Sequence, residues 1–259
     1  MRSVSTLLSV LVLSANFLHA NEWEKTYSDA IYAGPEIYYV KRTKEGGAKQ
    51  TGTLFGARIG YDHIKRYKLY WGAEALWAQG ILNGKNDIIH LKSQLTDINV
   101  EARIGYTFQS KCWRCASFTP FIGAGYFWEK NYYKHPSPLA VHFDNEFSYI
   151  PVGFLSQIFL TPTFSLGLNA KIRFLLDGSQ KVSHDPEHDN MTLHYDERLQ
   201  YRIELPMTYF INWKCTTLAI CLEPFYEFRE YGHRANFPFD FFETKFQLIG
   251  ATLKCFYVF

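Results

Sequence analysis

The sequence predicts an all-β chain folded as an antiparallel up-and-down transmembrane β-barrel of about ten strands, with short periplasmic turns and long extracellular loops. Three observations predict it. Segment after segment alternates apolar and polar residues with period two, the connections between segments alternate short and long, and no stretch beyond residue 20 is long and apolar enough for a membrane helix. Composition agrees. The 259 residues include 22 Phe, 18 Tyr and 6 Trp beside 3 Met, which excludes a disordered chain and a Leu/Ala/Glu-rich helical one. Lys+Arg, at 27, nearly balance Asp+Glu, at 25, so nothing electrostatic suggests a nucleic-acid partner.

Residues 1–20 read as a secretory signal peptide. Arg2 is a short basic start, Val4 to Leu18 is a run of apolar and small residues, and Leu18-His19-Ala20 precedes Asn21-Glu22-Trp23-Glu24, which places cleavage after Ala20. About 15 weakly apolar residues fall short of the ~20 that a spanning helix needs. Residues 21–29 then form a short periplasmic leader, and 30–259 the barrel.

Strands are expected near 30–42, 51–63 and 67–80, with Tyr39, Tyr61, Trp71 and Trp77 in the outward phase. The fourth, 92–109, sets Ile98, Val100, Ala102, Ile104, Tyr106 and Phe108 against Asp97, Asn99, Glu101, Arg103, Gly105 and Thr107. The fifth, 117–133, carries Trp128 outward, and the sixth, 146–160, follows a proline-interrupted loop. The seventh, 163–177, alternates most strictly, with Phe164, Leu166, Leu168, Ala170, Ile172 and Phe174 opposite Ser165, Gly167, Asn169, Lys171 and Arg173. The eighth, 194–212, sets Leu199, Tyr201, Ile203, Leu205 and Met207 against Arg198, Gln200, Arg202, Glu204 and Pro206. Leu218, Ile220 and Leu222 mark the ninth, 216–231, and Leu253, Cys255, Tyr257 and Phe259 the last, 242–259.

Short connections at about Ile64–Arg66, Ser110–Ala116, Thr161–Pro162 and Trp213–Cys215 alternate with longer ones beginning at Thr43–Gln50 and Ile81–Leu91. That pattern belongs to barrels of the bacterial outer membrane, and an even strand number puts both termini in the periplasm. Phe164 and Phe174 are roughly 33 Å apart along a strand at ~3.3 Å per residue, which a tilt of ~40° projects to about 25 Å, the height of the lipid-facing apolar band. Pro35, Pro120, Pro151, Pro206 and Pro224 fall inside these strands and are expected to need bulges.

The inward phase holds the acids Glu36, Asp62, Glu74, Asp97, Glu101, Glu129, Asp196, Glu204, Glu223 and Glu227 and the bases Arg58, Arg103, Lys171, Arg173, Arg198, Arg202, Arg229 and Lys254. A ten-stranded lumen is only modestly wider than the eight-stranded one that side chains fill, so these charges are expected to pair across it and plug it. A narrow polar, porin-like path is the channel alternative.

At its end the chain resembles the outer-membrane β-barrel superfamily, whose last strand finishes on Phe with an aromatic two residues earlier, here Tyr257 and Phe259. The resemblance implies that the barrel-assembly machinery reads these two positions. The segment Phe118-Thr-Pro-Phe-Ile-Gly-Ala-Gly-Tyr126 is similar to the Pro-aromatic-x-Gly-x-Gly strands of small members. The implied setting is a Gram-negative outer membrane, with outer-membrane lipid and lipopolysaccharide around the barrel. The resemblance assigns no catalytic residue, metal or cofactor.

Other features are weighed against blander readings. Cys112-Trp-Arg-Cys115 lies in a periplasmic turn and Cys215 in another, so a structural disulfide is expected, either within the first turn or between the two, since the redox reading needs a βαβ context. His135 and Ser137 followed by Glu146 resemble lipid A deacylases, but in a loop rather than on a membrane strand. His184, Asp185, His188, Asp189, His194 and Asp196 invite comparison with omptin proteases, whose paired Asp and Asp/His motifs they do not reproduce. His184 and His188 would be the imidazole ligands of any metal in that loop, whose bland reading is a solvated turn-rich segment. Phe237-Pro-Phe-Asp-Phe-Phe242 and Tyr132-Tyr133 either cap the outer aromatic girdle or contact a surface ligand. The expectation is therefore a non-enzymatic barrel serving envelope structure or surface interaction, with an outer-membrane hydrolase as the rival class.

Overall fold

The computed structural model describes residues 29–44, 47–85, 90–110, 116–138, 141–184, 191–194, 199–213, 216–232 and 243–259. Ala20, the leader apart from Asp29, Cys112, Cys115, Cys215, Arg198, Asp185, His188, Asp189, Asp196 and the 237–242 aromatics lie outside them, and Asp29 belongs to the first strand rather than to the leader.

Ten strands form one closed antiparallel sheet. They are β1 (Asp29–Lys44), β2 (Lys49–His63), β3 (Leu69–Lys85), β4 (His90–Tyr106, continued by Phe108–Gln109), β5 (Ser117–Tyr133) and β6 (His142–Thr161). There follow β7 (Phe164–Gly167 and Asn169–Ser183), β8 (Met191–His194, Leu199–Glu204 and Met207–Trp213), β9 (Thr216–Tyr231) and β10 (Thr244–Val258). Each pairs with its chain neighbours, and β10 returns to β1 in an unbroken register from Ala30↔Val258 to Lys44↔Thr244. Closure satisfies the backbone within the sheet and leaves no edge, which is what a strand structure in hydrocarbon requires.

Alternation sorts the side chains as the sequence pattern predicts. On β1, Ile31, Ile37 and Tyr39 are exposed, whereas Tyr32, Glu36, Tyr38, Val40 and Arg42 are buried. On β9, Ile220 and Leu222 face out and Cys221, Glu223, Phe225, Glu227 and Arg229 face in. The outward apolar band runs from Trp71, Phe118, Tyr209 and Tyr257 near the end that holds both termini up to Tyr39, Phe55, Trp77 and Phe174. Beyond it the outward residues turn polar, as at Lys41, Gln79, Lys130, Lys181 and Gln247, while the strands continue. Strands of 15 to 20 residues exceed the ~9–11 that hydrocarbon requires, so the barrel wall stands proud of the band at the loop end.

That protrusion corrects the expected loop lengths. β1 reaches Lys44 and β3 reaches Lys85, so the connections at 45–48 and 86–89 are shorter than the turn at 110–116 at the opposite end. The strict short-long alternation therefore does not hold in the first half of the chain.

The prolines also differ from expectation. Register passes unshifted through Pro35, Pro120 and Pro224. In an antiparallel ladder a residue directs its N–H and C=O at one neighbour only, so a proline removes one bond without displacing the rest. Two prolines do accompany irregularity. Pro206 separates two segments of β8, and its ring occupies the space a Cβ on Gly167 would need, at 2.7 Å. Pro151 lies two residues from a shift at Ser148/Tyr149, where Leu176 bulges out of β7 and reverses the facing of its upper end.

Candidate functional site

Among the described residues the lumen is where the fold gathers chemistry-bearing side chains, and most of it is filled. Among the described residues its buried charges are eight acids (Glu36, Glu74, Asp97, Glu101, Glu129, Glu204, Glu223, Glu227) and eight bases (Arg42, Arg58, Arg103, Lys171, Arg173, Arg202, Arg229, Lys254). Asp62, near the terminal end, is partly buried and accepts from Tyr70 Oη at 2.7 Å.

The ion pairs form a connected path across the barrel. Arg229 on β9 reaches Asp97 on β4 (Nη1 to Oδ2, 2.9 Å) and donates to Glu227 from Nε at 2.6 Å. Glu227 also accepts from Arg173 on β7 at 2.6 Å and from Arg202 on β8 at 3.0 Å. Arg202 pairs with Glu204 at 2.6 Å and with Glu36 on β1 at 3.5 Å. Glu36 takes a two-pronged contact from Arg58, Nε at 2.6 Å and Nη2 at 3.0 Å, with Thr252 adding a hydroxyl at 2.8 Å. Arg58 in turn meets Glu74 at 3.0 Å, and Lys171 reaches from β7 to both Glu74 on β3 (3.0 Å) and its neighbour Glu101 on β4 (2.8 Å). Lys254 closes on Glu223 at 2.6 Å nearer the terminal end. Charges removed from water are tolerable only when paired and hydrogen-bonded in this way.

Every described residue of the expected network (Glu36, Arg58, Glu74, Glu101, Arg103, Lys171, Arg173, Arg202, Glu204, Glu223) is brought into this interior. Sequence reasoning missed two things. Arg42 is an inward base, 2% exposed, whose guanidinium donates to Gln50 at 2.9 Å and lies 5.6 Å from the Phe246 ring centroid. The second omission is an apolar tier inside the barrel towards the loop end, built from Val40, Leu54, Leu76, Leu95, Phe127, Phe147, Phe225 and Leu248 among others. Arg202 lies 3.6 Å over Phe225 and Arg229 4.4 Å over Phe127, so guanidinium planes join the charged tier to the apolar one. A sequence signal existed, since Ile37-Tyr38-Tyr39-Val40 and Phe127-Trp128 are apolar in both phases.

Two glycines let tyrosines lie flat on the inner wall and reach the charges. A Cβ on Gly60 would meet Tyr32 Cζ at 2.3 Å, and one on Gly125 would meet Tyr149 Cζ at 2.2 Å. Tyr149 Oη then donates within 2.6 Å of Asn99 and 3.0 Å of Glu101, and Tyr32 Oη within 3.2 Å of Glu74. Gly125→Val is expected to lift the Tyr149 ring and to destabilise the barrel by about 1–3 kcal/mol, the range for overpacking. A lower temperature of conversion from the compact to the unfolded band in SDS gels would show it; an unchanged temperature would contradict the packing described.

Below the network, a polar cavity of about 100 Å³ is lined by Asp62, Arg103, Gln157, Glu204, Cys221 and Lys254 among others, room for several waters. Cys221 is a buried free thiol on its wall, and Cys255 is a free thiol on the outward face. Among the described residues, the deacylase-like set of His135, Ser137 and Glu146 is not brought together. Glu146 is exposed on β6 and accepts from Tyr126 Oη at 2.7 Å. It lies four residues, roughly 13 Å at ~3.3 Å per residue, down the strand from His142, the partner of Tyr132, whereas His135 and Ser137 lie beyond Tyr133. His184 packs against His142 with ring centroids 4.2 Å apart, on the outer wall rather than in the lumen.

Similarity to known structures falls where this geometry leads. The outer membrane protease OmpT from Escherichia coli is similar at a TM-score of 0.54 and 11% identity, over 89% of this chain and 96% of that one. The transport unit of the autotransporter AIDA-I from Escherichia coli is similar at 0.44 and 14%, over 95% and 97%. OprG from Pseudomonas aeruginosa is similar at 0.37 and 11%, over 88% and 96%. No protein-family model and no curated protein sequence matches the chain. The chain has the fold of an outer-membrane β-barrel. At this identity the likeness to a protease concerns the architecture alone.

Proposed function

We propose that the chain is an integral protein of a Gram-negative outer membrane, exported by a cleaved signal peptide, whose plugged barrel serves envelope structure or surface interaction rather than transport or hydrolysis. Both termini then face the periplasm, and the protruding wall and loops face outward. The observation that supports this best is the ion-pair path from Asp97 on β4 across to Glu227 on β9 and back through Glu36 and Glu74 to Glu101, which crosses the lumen with paired side chains. The protruding wall supplies a rigid platform for a surface ligand. Planar-bilayer recording of the purified protein tests the plug. No stable conductance step is expected, and a reproducible nanosiemens-scale step would overturn the reading.

A further inference from the structure

We propose that the connection 64–68, at the periplasmic end, is a docking site for the phosphate headgroup of an anionic glycerophospholipid. The proposal rests on the outer-membrane placement above and adds to it a lipid class and a position.

The turn puts Lys65, Arg66 and Lys68 within four residues, next to the start of the apolar band. The next outward residues are Leu69 and Trp71, 54% and 47% exposed, and Tyr67 between the cations is itself 43% exposed. An occupant here meets positive charge and hydrocarbon side by side, which selects an amphiphile over a soluble anion. The turn is also fixed before any ligand arrives. Tyr67 holds a left-handed φ of 50°, uncommon for a bulky side chain, and its N–H donates to Thr107 O at 3.0 Å while Thr107 N–H donates to Lys68 O at 3.1 Å. Tyr106 Oη donates to Tyr67 O at 2.9 Å, and Tyr67 Oη donates to Gln109 O. Asp29 is 3.4 Å from Lys65 but also takes His63 at 2.7 Å and the Tyr61 hydroxyl, and the Arg66 guanidinium lies 5.3 Å from the Tyr67 ring centroid.

Charge along the barrel axis points the same way. Three of the four connections at this end, 64–68, 110–116 and 214–215, contain Lys or Arg, the fourth is Pro162-Thr163, and none contains an acid, whereas those at the other end carry Glu45, Asp87, Asp185, Glu187, Asp189 and Asp240 against Lys134, Arg198 and Arg234. Positive charge next to an apolar band attracts anionic lipid.

Native mass spectrometry of the detergent-solubilised full-length protein, given equal phosphatidylglycerol and phosphatidylcholine, reads this out. Wild type is expected to retain phosphatidylglycerol roughly fivefold or more over phosphatidylcholine. Combining K65Q, R66Q and K68Q should abolish the preference, and combining K41Q, K130Q and K181Q at the other end should leave it intact. Equal retention by wild type, or a preference that survives the first triple variant, overturns the proposal. So does loss of bound lipid on adding millimolar inorganic phosphate, which would mark a site for free anions. Should the triple variant fail to fold, Lys68→Gln alone must weaken the preference at least about twofold. Heat-modifiability in SDS gels is scored separately, and its absence in wild type would count against the barrel reading and not against this site.

Discussion

Glu227→Ala is expected to be the most damaging single substitution inside the barrel, because it removes the one carboxylate on which Arg173, Arg202 and Arg229 converge. Glu227 is fully buried, and its loss leaves three guanidiniums crowded in a water-poor interior with like charges facing one another. Deleting one partner of a buried pair destabilises by about 3–5 kcal/mol, chiefly through the uncompensated charge that remains. The compact SDS-resistant band should form poorly or convert at a much lower temperature. Adding Arg173→Met to the same chain should restore part of the loss, since it removes one of the orphaned cations. If the double variant is as unstable as the sum of the singles, the coupling described here is absent.

The second large effect lies on the opposite face. Leu222 is exposed in mid-band, paired with Leu253 on β10 and Met207 on β8. Arginine placed there must put its guanidinium in hydrocarbon, which destabilises a transmembrane barrel by about 2–4 kcal/mol near the midplane. The same residue at Gln247, outward on β10 above Ile249, should change stability by only about 0–1 kcal/mol. Reversible unfolding in urea from lipid vesicles measures both. Equal effects at 222 and 247 would mean that the band is not where the outward apolar residues end.

Much of this was legible in the sequence because facing in a strand has period two. Once Phe164 to Phe174 and Ile98 to Phe108 are assigned outward, Lys171, Arg173, Glu101 and Arg103 must face inward. The pairing of those charges was not legible. Arg229 and Asp97 are 132 residues apart, and Lys171 and Glu101 70, so their meeting depends on barrel closure and shear, which no local pattern encodes. The apolar inner tier was hidden for another reason. Where both phases are apolar, as around Tyr38 and Phe127, alternation loses contrast and the inner residues are read as part of the lipid-facing band. Strand ends were underestimated for the converse reason. Above Trp77 three of the four outward residues, Gln79, Asn83 and Lys85, are polar and look like loop, with Ile81 between them, although the inward Ala78 and Leu82 still pack. The prolines misled because propensity penalises each one, while the ladder loses a single bond.

The most direct measurement concerns Ile172 on β7, 40% exposed and opposite Val152 and Tyr201. A nitroxide attached through Ile172→Cys, in a background with the five native cysteines changed to serine, is read in vesicles by its collisions with oxygen and with a water-soluble nickel chelate. High oxygen and low nickel accessibility is the predicted result, because the label then sits in hydrocarbon. Low accessibility to both would place Ile172 in a sealed protein core and contradict the account.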